Sequence, residues 1–196
     1  MAALFPRARR AALALVLLAA LPQAAQARSL ADDVLAELNF ARAQPASYAR
    51  ELARGEFASL GDEDPRVVGE AIDFLMAQPP LPPLRAHSGL QAAAGAHVRA
   101  QSARGTEGHG GGAGGLAARL KTQGVFAGLS AEAISYGYGS PREVVLQLIV
   151  DSRVPGRGHR KTIFGRGYSL AGVACGPHTR HGAMCVIDVA GALVQR

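Results

Sequence analysis

Tryptophan is absent, and four Tyr and six Phe are the only large aromatic residues in 196. Lys and Arg are scattered rather than grouped into blocks, so nucleic-acid binding has little support. Four familiar catalytic signatures are also missing: H-E-x-x-H, G-x-S-x-G, the Walker loop and C-x-x-C. There are only two cysteines, too few for a disulfide-dense scaffold. Beyond residue 27 no long apolar run appears, so the rest of the chain is expected to be soluble and not stably inserted in a membrane.

The first 27 residues have their own character. Arg7, Arg9 and Arg10 precede an uncharged apolar stretch from Ala11 to Leu21, and Ala25-Gln26-Ala27 ends it. A basic start, a short apolar core and a small-x-small site define a secretory signal peptide over 1–27. The apolar core is about half the ~20 residues that a spanning helix needs. The Arg9-Arg10 pair hints at twin-arginine export, although its flanks match poorly. Cleavage leaves 28–196, a length that suits one domain. Three of the twenty-one Lys and Arg lie in 1–27, which cuts the formal net charge from +6 to an ordinary +3. The expected location is periplasmic or extracellular.

Cys175 and Cys185 fall in two apolar runs, Leu170–Ala174 and Met184–Val189, with a turn-like stretch from Gly176 to Gly182 between them. The pattern predicts a β-hairpin. In an oxidising compartment it predicts a Cys175–Cys185 disulfide over two buried free thiols. A bridged sulfur is no thiolate, which argues against a Cys–His nucleophile.

Upstream the pattern is helical. Ser29 caps a helix carrying Asp32 and Asp33 in its first turn. Pro45 either breaks this helix or opens a second one through Tyr48 to Ala53, and a further helix spans Val67–Met76 and stops at the proline strap Gln78–Pro83. Ser88 opens another, with Leu90, Ala93, Ala94, His97, Val98 and Gln101 on one face. Gly105–Gly115 holds seven glycines and reads as an irregular loop. Leu116–Gln123 reads as a short helix and Ala131–Tyr138 as a strand. Ser140-Pro141-Arg142-Glu143 starts a final helix. Helices first and antiparallel strands later indicate an α+β fold rather than a parallel sheet.

Three residues on separate elements stand out. His109 sits in the glycine-rich loop, where it is either a solvated histidine or a ligand-facing one. Gly110, Gly112 and Gly115 satisfy G-x-G-x-x-G but follow a helix, so a dinucleotide site is discounted. Glu132 opens the strand; if buried, it requires a partner such as His or Arg. His159 follows Pro155-Gly156-Arg157-Gly158, and Arg157 and Arg160 would depress its pKa if they lie close. Arg157 is placed to pair with Asp151. His97 reads as a core histidine, and His178 and His181 as solvent-exposed residues of the hairpin turn.

Several segments together resemble the CAP (SCP) superfamily, which includes cysteine-rich secretory proteins, venom allergens and plant pathogenesis-related proteins. Asn39-Phe40-Ala41-Arg42 is similar to its first-helix pattern. Leu84 with Leu90 to His97 resembles its next helix, and Gly108-His109-Gly110 the segment of its first cleft histidine. Ala131-Glu132-Ala133-Ile134 resembles its G-E-N-[IL] strand, with Ala133 in place of Asn. Asp151 to Ile163 resembles its GHR-containing signature, without the family's tryptophan, and Ala171-Gly172-Val173 its GVG strand. The resemblance covers approximately 31–190.

The resemblance implies an α-β-α sandwich around a small antiparallel sheet, with one open cleft of two His and two acids. His109 and His159 match the histidines and Glu132 the first acid; Asp151 or Ser152 stands at the second. It implies weak binding of Zn2+ or another divalent cation through the histidines. The first functional expectation is a secreted, non-enzymatic binding domain, monomeric, taking a cation or a small polar or lipid ligand. A metal-assisted hydrolase with Glu132 as general base is the second, disfavoured because most catalytic zinc sites have three protein ligands. An envelope scaffold that binds a protein partner is the third.

Overall fold

A computed structural model describes residues 28–55 and 63–194. The expected signal peptide and most of the polar connector after Gly55 lie outside the described residues. The described residues form seven α-helices and four strands, with the helices preceding the hairpin of the last two strands. The helices are α1 (Leu30–Ala43), α2 (Pro45–Ala53), α3 (Pro65–Ala77), α4 (Ser88–Ser102), α5 (Leu116–Thr122), α6 (Pro141–Val150) and α7 (Gly158–Ile163). The strands are β1 (Arg85–Ala86), β2 (Ser130–Tyr136), β3 (Leu170–His178) and β4 (Gly182–Ala190).

Local chemistry sets the boundaries. Ser29 and Asp32 form a reciprocal capping box at the start of α1, and Ser140 and Glu143 form another at α6. Pro45, Pro65 and Pro141 occupy first-turn positions, where their missing N–H costs nothing. Gly137, at φ +89°, turns the chain out of β2, one residue before the strand end expected from sequence.

The sheet order is β1-β3-β4-β2. β2 and β3 both pair antiparallel to β4, as the patterning required. The two-residue β1 was not foreseen and runs parallel to β3, which makes the sheet mixed rather than purely antiparallel. The β3–β4 strands are longer than their apolar runs. Gly176 to His178 continue β3, and only Thr179–His181 form the turn. Cys175 faces Cys185 directly across the pair, and the two are bonded.

Helices cover both faces of the sheet. Ala133, Val173 and Ile187 point toward α1 and α6, against Leu38, Val145 and Ile149. Ile134, Met184 and Val186 point the other way, under Ala94 and Val98 of α4, while α5 adds Leu120 beside Leu90. This is the α-β-α sandwich, and each large aliphatic side chain sealed in it contributes about 1.5–3 kcal/mol. Gly172 allows the closest approach. A Cβ there would lie 2.0 Å from the Gln91 amide nitrogen and 2.2 Å from the Leu90 carbonyl carbon. Only a bare backbone lets α4 descend so far onto β3.

Two residues of α1 stitch distant chain together. Asn39 exchanges two hydrogen bonds with the Leu84 backbone, at 3.0 and 2.8 Å. Arg42 is buried and donates to the carbonyls of Pro82, Gly165 and Ile163. The proline strap and the end of α7 are therefore both tied to α1, and α7 carries His159.

Candidate functional site

His159 lies on α7, a short helix for which the sequence carries no start signal. Its backbone N–H donates to Asp151 Oδ2, and its Nδ1 lies 2.9 Å from Asp151 Oδ1. Asp151 is fully buried and follows the end of α6 in the left-handed region, at φ 54°, which Asp tolerates better than most residues. The neighbouring arginines support this turn instead of facing the imidazole. Arg160 donates to the Ile149 and Val150 carbonyls, and Arg157 to the carbonyls of Asp151 and Ser152. The Ile149 and Val150 carbonyls are among those left open at the end of α6. Both guanidinium groups then converge on Glu70, whose carboxyl is held down at about 2, first by the Arg157 hydrogen bond. The expected Arg157–Asp151 pairing therefore occurs through the Asp151 backbone carbonyl, and the charge partner is Glu70.

His109 is fixed from the opposite side of the cleft. Its Nδ1 lies 2.9 Å from Glu132 Oε1. The Glu132 side chain is 2% exposed, and its other oxygen accepts from Arg119 on α5. A buried Glu132 called for His or Arg, and it has both. Arg119 also donates to the carbonyls of His109 and Gly114, and so clamps the glycine loop at two points. Burial pushes the Glu132 carboxyl up, but the His109 hydrogen bond and the Arg119 charge outweigh it, and the net pKa is lowered. The same hydrogen bond raises the pKa of His109 against its partial burial.

The histidines read as bystanders hold the loop in place. Buried His97 bonds the Gly108 carbonyl at 2.9 Å, which Gln101 also reaches. Tyr136 accepts from the Gly108 N–H at 3.0 Å and donates to Gln101. His178 ends β3 and is buried, and His181, in the turn, is half-buried rather than solvent-exposed. His178 is 2% exposed and lies 3.0 Å from the Thr106 carbonyl; His181 lies 2.8 Å from Glu107. Their rings pack against each other and against Tyr136. The cause is the longer hairpin, which carries both residues back over the loop. Nothing in the local sequence around either histidine signals that partner.

His109 and His159 thus face one cleft of about 420 Å3, lined also by Tyr136, Tyr138, Gln147 and Ser152. Their ring centroids are 6.4 Å apart. Glu132 and Asp151 lie behind the imidazoles, buried, instead of opening to the cleft. Both Nδ1 atoms are engaged, and neither Nε2 has a hydrogen-bond partner among the described residues. With a zinc–nitrogen distance of about 2.0–2.1 Å, two imidazoles on one tetrahedral ion have ring centroids roughly 5 Å apart, so the two rings would have to close by about 1 Å to share an ion. Among the described residues, no group of three or more His, Cys, Asp or Glu side chains is arranged to hold a metal. A larger depression, about 510 Å3, lies beside Glu70 and Phe74, where Glu70 already pairs with the cationic lining.

A further carboxyl, passed over in sequence, stands behind Glu132. Asp188 on β4 is paired in register with Glu132 and is fully buried. Neither of its oxygens has a donor among the described residues. Burial, and then the Glu132 charge, push its pKa up to about 8. A lone acid inside the apolar run Met184–Val189 was the available signal.

The model of the cysteine-rich secretory protein family (CAP) matches residues 35–189, and the chain belongs to that family. Three solved structures are similar to it. One is an extracellular protein containing an SCP domain from Bacillus anthracis, 20% identical over 57% of this chain and 35% of that one, with TM-score 0.46. Another is an outer surface protein from Borrelia burgdorferi, 16% identical over 57% of this chain and 79% of that one, TM-score 0.48. The third is a cysteine-rich secretory protein from Staphylococcus aureus, 15% identical over 67% of this chain and 41% of that one, TM-score 0.43. This chain spans well under half the length of the Bacillus and Staphylococcus chains. No curated protein matches it. Among the described residues no helix is long and apolar enough to cross a membrane.

Proposed function

We propose that this is an exported CAP domain whose cleft reversibly binds a divalent cation, zinc being the probe of choice, through Nε2 of His109 and Nε2 of His159. One observation carries the reading: each imidazole gives its Nδ1 to a buried carboxylate, Glu132 or Asp151. A carboxylate behind a histidine fixes the ring, selects the tautomer and raises the basicity of the outer nitrogen, which is the usual support of a metal-ligating histidine. With two protein ligands, most of the coordination shell stays open to water or to a polar ligand, so binding is weak and exchangeable.

Non-enzymatic binding is preferred to hydrolysis for a geometric reason. A general base must reach the proton that it removes. Both Glu132 oxygens are already taken by His109 and Arg119, behind the cleft wall. Zinc titration of the purified protein tests the proposal. His109→Ala and His159→Ala should each weaken binding at least tenfold, and Asp151→Asn about 10–100-fold. Unchanged affinity in both alanine variants overturns it. Binding should also weaken as pH falls through the raised pKa of His109, beginning above the ordinary 6.5, because a proton on Nε2 blocks the ligand position.

A further inference from the structure

The Asp188 carboxyl is buried, and among the described residues no hydrogen-bond donor reaches either of its oxygens. It faces Glu132 on β2 and Gly172 on β3 across the strand pairs. Glu132 is an acceptor and Gly172 has no side chain. From α5, the Arg119 charge favours the ionised form, but that guanidinium is already committed to Glu132. From α4, which packs over the same face, His97 is tied to the Gly108 carbonyl, and burial lowers its pKa. Asp188 is hydrogen-bonded to neither cleft imidazole. Two ionised carboxylates side by side, both dry, would leave one charge uncompensated. Ionised, Asp188 has no donor to accept from; protonated, it has an O–H and a Glu132 oxygen to give it to.

We propose that Asp188 is a positioning residue of the cleft, held as the neutral acid and donating its proton to Glu132, so that the single negative charge of the pair stays on Glu132 against His109 and Arg119. The consequence is directional. Glu132 is held on one side by Asp188 and Arg119, and it presents a fixed acceptor to His109 Nδ1. That acceptor keeps the His109 proton on Nδ1 and the Nε2 lone pair turned outward. The arrangement follows from the Glu132 contacts alone and does not depend on whether the cleft takes a cation.

The test is a carboxyl-carbon and histidine-nitrogen NMR titration of the purified protein, kept metal-free by a chelator, from pH 5 to pH 9. The Asp188 Cγ should report a neutral acid at pH 7, by about ten to one, and lose its proton near pH 8. The His109 ring nitrogens should show a small second step at the same pH, transmitted through Glu132. In Asp188→Asn, which keeps the shape and an N–H donor, that step should vanish while the His109 Nδ1–H tautomer persists. A purely structural role for Asp188 would leave the histidine step untouched. An Asp188 carbon already ionised at pH 7, or a histidine step that survives in Asp188→Asn, overturns the proposal. Since no metal is present, failure here leaves the cation reading standing, and a failed zinc titration leaves this one standing.

Discussion

At the residue scale, the cleft is a set of charges that offset one another. Glu132 is stable as an anion because His109 and Arg119 face it; Asp188 has no such partner. The two therefore pull stability in opposite directions with pH. The lowered pKa of Glu132 contributes stability above its ordinary 4.5, which is lost as pH falls. The raised pKa of Asp188 means that the folded chain keeps a proton the unfolded chain has released. Its contribution is complete below the ordinary 3.8 and is lost as pH rises toward about 8. His109, also raised, loses its contribution as pH rises past 6.5. Comparing wild type with Asp188→Asn isolates the second effect. Denaturant unfolding from pH 5 to pH 8.5 should show wild-type stability falling with pH and the variant's falling less steeply. Parallel profiles would contradict the assignment.

At the scale of elements, the site depends on how closely helices approach the sheet. Gly172 lets α4 lie on β3, and α4 carries the His97 and Gln101 that grip Gly108. Gly172→Ala places a methyl group inside the α4 backbone, and no rotamer change relieves a clash with main chain. The expected loss is about 3 kcal/mol or more in chemical denaturation, with a loosened His109 loop. A change below about 1 kcal/mol would show that α4 shifts freely. Elements whose signals are local were legible in sequence. Ser29, Ser140 and the prolines gave helix starts, and the apolar alternation around Cys175 and Cys185 gave the hairpin with its bridge. Elements formed by distant partners were not. β1 exists only because β3 passes beside it. The short α7 is held by Arg160 against α6 and by Arg42 from α1. The hairpin outran its apolar pattern, and its extension carries His178 to the Thr106 carbonyl 72 residues away in sequence.

At the scale of the whole molecule, the sandwich brings the glycine loop before α5 and the turn after α6 to one cleft from opposite sides. His109, Glu132, Asp151 and His159 could be named from the family resemblance, but their arrangement could not. Nothing in the sequence said that the acids would sit behind the histidines, or that Arg119 and Asp188 would both lie against Glu132. Those contacts join β2, β4 and α5, and apart from a lone acid in the apolar run of β4 their segments look ordinary. The account rests on the two Nε2 atoms being the open positions of the cleft. The most direct measurement is a crystal soaked in zinc, with anomalous scattering recorded at the zinc edge. The account predicts one peak in the cleft, about 2.0–2.1 Å from Nε2 of both His109 and His159, with Glu132 and Asp151 still on the Nδ1 atoms. A peak bound elsewhere, or an empty cleft in a crystal that has taken up zinc, would contradict it.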